Sequence, residues 1–151
     1  MHSANVPDPF DLQRFVRAQE GTYQRALSEL KHGQKQSHWM WYVFPQFEGL
    51  GFSHTSQRYA IKSVAEARAY LAHQVLGPRL VECATALSGV EDLTANDILG
   101  FPDDLKLKSC ATLFAHVSAS DSVFHRLIDK YFDGQYDEAT LRLMAKTDSG
   151  T

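Results

Sequence analysis
Short runs of apolar residues at helical spacing, each bounded by a capping residue, a glycine or a proline, constrain this chain more than any other feature. Phe10, Leu12, Phe15, Val16 and Ala18 follow Asp8-Pro9, a polar cap with proline at the first helical position. Tyr23, Ala26, Leu27 and Leu30 form the next stripe, with Thr22 as its cap and Gly33 as its stop. Ser63-Val64-Ala65-Glu66 reads as a capping box. Gly77-Pro78 opens a helix with Leu80, Val81, Ala84 and Leu87 as its inner stripe and Gly89 as its stop, and Thr94 caps a brief turn ending at Gly100. Further helices are expected from Pro102 or Asp103 to Val117, from an Asp121 cap to near Gly134, and from Asp137 through Leu141 and Met144. Leu105, Ala111, Leu113 and Phe114 are the apolar residues available for burial in the first of these three.

The pattern predicts a mainly α fold of about seven short helices in one domain over residues 10–146, with loose tails at 1–9 and 147–151. Connections of only a few residues leave no room for a second domain. A hydrophobic fraction of 44% with 22% charged residues suits a globular chain that buries one core. The net charge of −3 argues against nucleic acid as a partner. Cys83 and Cys110 match no metal-binding spacing, sit among apolar residues, and read as small buried hydrophobes of a reduced compartment. With no basic-then-apolar leader and no long apolar run, a cytoplasmic protein without membrane contact is expected.

Ser37 to Phe44 is aromatic or apolar on every side, so periodicity does not separate a buried strand from a short buried helix. Both tryptophans, Trp39 and Trp41, lie in it, together with His38 and Tyr42. Such rings build cores. Entered by the polar Gln34-Lys35-Gln36-Ser37 and followed by Pro45-Gln46 and a glycine-punctuated loop, they also suit the wall of a site for a flat ligand. The expected split buries Met40, Val43 and Phe44 and turns His38, Trp41 and Gln46 toward a cavity.

Pro102-Asp103-Asp104-Leu105-Lys106-Leu107-Lys108 is the second candidate segment. Adjacent carboxylates at a helix start serve first as cap and dipole partner, but Lys106 and Lys108 oppose that dipole and ask for another reason. A phosphate or carboxylate held near the helix start supplies one, with Asp103 or Asp104 as general base or stabiliser of a cationic transition state. The histidines show no paired spacing for a metal, and no nucleotide-loop or nucleophile-elbow motif occurs, so neither metal nor cofactor is expected. Arg14, Arg17 and Arg25 are expected on a solvated helix face.

Taken in order, the segments starting at Asp11-Leu12-Gln13-Arg14-Phe15, Ser37-His38-Trp39-Met40-Trp41, Gly49-Leu50-Gly51, Tyr59-Ala60-Ile61, Leu76-Gly77-Pro78-Arg79-Leu80 and Pro102-Asp103-Asp104-Leu105-Lys106 resemble domain-of-unknown-function family 1810 over roughly residues 10 to 145. That family looks distantly similar to the NADAR (YbiA-like) proteins, which cleave N-glycosidic bonds of ribosylated compounds. The local echoes are Phe15-x-x-Ala18-Gln19 and Leu76 through Glu82. The resemblance implies a mainly helical fold with a small β element and a nucleotide-like or ribosyl ligand. On that expectation Trp39, Trp41 or Tyr42 stacks on a base, Lys106, Lys108 or Arg58 holds a phosphate, His38 and Gln46 line the site, and Asp103 or Asp104 stabilises oxocarbenium-like charge. The competing expectation is a non-catalytic ligand-binding or protein-interaction domain.

Overall fold
Local capping chemistry places most of the helix ends. The computed structural model describes residues 7–149, and the rest of the two expected tails lies outside them. Ten helices occur among the described residues: α1 (Gln13–Gln19), α2 (Tyr23–Lys31), α3 (Met40–Val43), α4 (His54–Arg58), α5 (Val64–Ala72), α6 (Leu76–Ser88), α7 (Ala95–Leu99), α8 (Asp103–His116), α9 (Val123–Phe132) and α10 (Glu138–Ser149). About seven were expected. The three extra ones have 4, 5 and 5 residues: α3 is the short-helix alternative for Ser37 to Phe44, α7 fills the brief turn capped by Thr94, and α4 is too short to show a stripe in sequence. Strand structure among the described residues reduces to one parallel bridge, Phe47 to Ile61. No helix of the described residues is long and apolar enough to cross a membrane.

Several ends follow the expected chemistry. Thr94 and Asp97 form a reciprocal capping box, and Ser63 Oγ accepts the Glu66 amide at 3.0 Å. Gly33, at φ 73°, closes α2: its amide donates to Leu30 O and that of Gln34 to Glu29 O, both at 3.0 Å, the two bonds of a Schellman motif. Others differ. Asp8 does cap, accepting the Leu12 and Gln13 amides, but Asp11 adopts a left-handed conformation (φ 51°) and delays α1 to Gln13. Thr22 gives no side-chain cap, and Ser122 rather than Asp121 caps α9. Helix α10 runs on to Ser149, past the Met144 to which the expected last helix was traced.

One apolar cluster links the helices. α8 lies against α7, α9 and α10, and every residue from Ser109 to Ala115 in it is buried. α6 packs on α2, α5 and α9. Cys83 and Cys110 are free and buried, as expected. Desolvation pushes the Cys83 thiol up to about 12, which leaves it unreactive at neutral pH. Leu105, expected inside, is 51% exposed because it sits on the outer side of the first turn of α8.

The largest departure is Arg14. Expected in solvent, it is buried behind α1 beside Glu66, its Nη2 2.8 Å from Glu66 Oε2. Its guanidinium also donates to the carbonyls of Phe10, Asp11, Arg58 and Ala60. Every strong donor direction is thereby used, which is how a buried cation is tolerated. Glu66 Oε1 in turn accepts the Lys62 amide. The pair ties α1 to α5 and to the chain at 58–60, the far wall of the pocket described next.

Candidate functional site
The aromatic run splits within three residues. Trp39 is fully buried, whereas Trp41 is half-buried and faces a small pocket. The α3 turn explains this, since residues two apart on a helix point to different sides. Met40, Val43 and Phe44 go inward as expected. Trp39 as a ligand-stacking ring is corrected: with no exposed face, it serves the core.

What holds Trp39 was not visible in the sequence. Glu29 on α2 accepts four hydrogen bonds, from the amides of Gln36 and Ser37, the Ser37 hydroxyl and Trp39 Nε1. Desolvation alone would raise its carboxyl, but these donors outweigh it and hold the pKa at about 2, below the ordinary 4.5. A carboxyl lowered on folding adds stability above its unfolded pKa and loses it as pH falls through the folded one. Glu29→Gln is therefore expected to cost about 1 kcal/mol at pH 7, allowing for solvent screening of this partly exposed group. Urea unfolding at several pH values should show the gap to wild type closing between pH 4.5 and about 2. A gap independent of pH would show that the carboxylate charge is not what stabilises.

The pocket is walled by Trp41, Gln46, Gln57 and Tyr59, with Gly49 and Gly51 at its edge, and its interior of about 20 Å³ takes one water-sized group. The bridge around Ile61 brings its two sides together: Ile61 N donates to Gln46 O, and Glu48 N to Ile61 O, each at 2.8 Å. Tyr42 stacks obliquely on Tyr59 at 5.4 Å behind it. Trp41 Nε1, the Gln46 amide and the Tyr59 hydroxyl have no hydrogen-bond partner among the described residues, so the pocket wall offers unspent polar groups.

The two segments singled out in sequence meet at Trp41. Lys106 Nζ lies 5.0 Å from the centroid of the Trp41 ring and 3.5 Å from Asp103 Oδ1. Asp103 Oδ2 is 2.9 Å from Lys35 Nζ, which itself lies 5.2 Å over Trp39. Two lysines thus share one carboxylate, and each covers a tryptophan. Asp104 turns away, accepting the Leu105 amide at 2.9 Å and Asn96 Nδ2 at 3.3 Å. Neither aspartate lines the pocket, so neither contacts a group seated in it. Lys35 was missed because its role depends on α8, nearly seventy positions onward in the chain.

The remaining expected residues scatter. Gln46 lines the pocket, and Arg58 is exposed and outside the lining, its guanidinium 5.6 Å over the ring of the lining residue Tyr59. His38 is exposed and outside the pocket lining, its carbonyl accepting the Tyr42 hydroxyl. Lys108 lines a different, polar depression with Tyr136, Asp137 and Glu138. Two residues along α8 turn it to the side of the helix away from Lys106, so it does not join the Trp41 group.

Residues 9–144 match the family described as "Protein of unknown function (DUF1810)", and the chain belongs to that family. Its structure is similar to the crystal structure at 1.38 Å of the conserved hypothetical protein Rv1873 from Mycobacterium tuberculosis. That likeness has 48% sequence identity and a TM-score of 0.90, over 91% of this chain and 99% of that one. No curated protein matches the chain.

Proposed function
We propose that this protein binds a small ring-bearing anionic ligand at Trp41, and that the ligand belongs to the ribosyl or nucleotide-like class. The observation that carries the reading is that Trp41 lines a pocket with unspent polar groups while Lys106, itself outside the lining, lies over its ring. A ring lies against Trp41 and the tyrosines, an amide or hydroxyl enters the small interior toward Gln46, and Lys106 and Arg58 face the phosphate or carboxylate. Asp103 acts as a positioning residue, holding Lys35 and Lys106 in place. Binding is favoured over hydrolysis because both aspartates are engaged outside the pocket. The distant likeness to NADAR proteins supplies the ribosyl class and nothing about catalysis.

Trp39 is sealed in the core, so a ligand-dependent change in tryptophan emission reports on Trp41. ADP-ribose, NAD and a ribosylaminopyrimidine phosphate are the probes. Saturable quenching by at least one of them is expected, with a rise in melting temperature that Lys106→Ala and Trp41→Ala remove. Absence of quenching and of any thermal shift with all three would end the reading. Release of free base by wild type but not by Asp103→Ala would instead make the protein a hydrolase.

A further inference from the structure
We propose that a second site, separate from the Trp41 pocket, lies in the groove between α6 and the first turn of α9 and takes a small carboxylic acid with an apolar body. Pro78, Val81 and Thr85 line one side, at helical spacing along α6, and Val123, Phe124 and Arg126 line the other. The groove is mostly apolar and offers about 490 Å³, the size of a site for a small organic molecule. It shares no lining residue with the Trp41 pocket.

The Gly77-Pro78 block builds it. A Cβ on Gly77 would stand 2.1 Å from the Leu71 carbonyl oxygen, so glycine lets α6 start directly against the end of α5. That close approach leaves Pro78 and Val81 uncovered on the outer face, Val81 being 40% exposed. Charge complementarity names the occupant. Arg126 is the one charged residue of the lining; its Nη1 donates to Asp121 O at 2.7 Å, and its other N–H groups have no partner among the described residues. The hydroxyls of Thr85 and Ser118 in the same lining are likewise without one. A carboxylate accepts two parallel bonds from a guanidinium, and an alkyl chain of octanoate length covers the Val81–Phe124 side.

Octanoate and octanol are the probes, with binding followed by amide chemical shifts on the intact chain. Octanoate is expected to move the Val81 and Val123 signals and leave Trp41 emission unchanged, which keeps this site distinguishable from the one proposed above. Octanol, and octanoate with Arg126→Ala, are expected to bind about tenfold more weakly. Val81→Glu is expected to abolish binding; should that variant not fold, Arg126→Ala decides. Equal binding of octanoate and octanol would overturn the proposal. So would shifts confined to the Trp41 pocket, no shifts up to the solubility limit, or concentration-dependent self-association lost in Val81→Glu, which would make the groove a contact between copies.

Discussion

Gly77→Ala is expected to destabilise the protein by about 3 kcal/mol, the upper part of the range for a forced insertion into a packed region. The added Cβ would meet the Leu71 carbonyl oxygen at 2.1 Å and its carbon at 3.0 Å. Neither atom belongs to a flexible side chain, so relief requires α5 and α6 to move apart. They share the core through Ala67, Tyr70, Leu76 and Leu80, which makes that movement costly. For a domain of this size the loss corresponds to a melting temperature lower by about 10 °C. Gly89→Ala is the control. Its Cβ would meet only ordinary contacts, at 3.6 and 3.7 Å, at a φ of −88°, so neutrality or a gain of about 0.5 kcal/mol is expected. Equal effects of the two substitutions would show that close approach at Gly77 is not what matters.

The second large effect is expected at Arg14. Arg14→Met keeps the apolar stem but leaves Glu66, 2% exposed, without its cation and the carbonyls of Phe10, Arg58 and Ala60 without that donor, while Asp11 O keeps the backbone amide of residue 14. Breaking a buried pair from one side costs about 4 kcal/mol, because an unpaired charge stays behind in the interior. The double variant Arg14→Met, Glu66→Gln is expected to be less destabilised than the sum of the two singles, since the glutamine keeps an acceptor for Lys62 without the charge. A double-mutant cycle in urea measures this directly. Strict additivity, or a single-variant cost below about 1 kcal/mol, would show the pair to be a passive contact. Because Arg14 also anchors the carbonyls of Arg58 and Ala60 beside Tyr59, the same variant is expected to weaken any ligand of the Trp41 pocket.

The contrast between Arg14 and Gly33 shows what could be read in advance. At Gly33 α2 ends through the bonds Gly33 N to Leu30 O and Gln34 N to Glu29 O, three and five residues back from their donors, and a glycine after a basic helix end announces that geometry. Arg14 takes partners 44, 46 and 52 positions away, and no local pattern announces those. A helix such as α4 was invisible for another reason. His54–Arg58 carries no buried residue, so it leaves no apolar stripe, and only the Ser53 cap holds its start.

The candidate site was half legible. The aromatic run and Pro102-Asp103-Asp104-Leu105-Lys106 touch where Lys106 lies over Trp41, although no residue of the second segment lines the pocket. Their internal assignment was not legible. Trp39 and Trp41 differ by two positions and look alike in a run that is apolar throughout, yet Glu29 and Lys35 seat one and Lys106 covers the rim of the other.

The sequence by itself determined the helical class, most helix ends and the inward residues of α2 and α9, because capping and helical periodicity act over three or four residues. In α6 it placed Leu80, Ala84 and Leu87 inward but wrongly added Val81, which is exposed. Only the tertiary structure decided which charges are buried, which tryptophan meets solvent and what the two aspartates hold. Those outcomes depend on partners brought together from distant turns, and the free energy of a buried charge or ring is set by its surroundings, not by its neighbours in the chain.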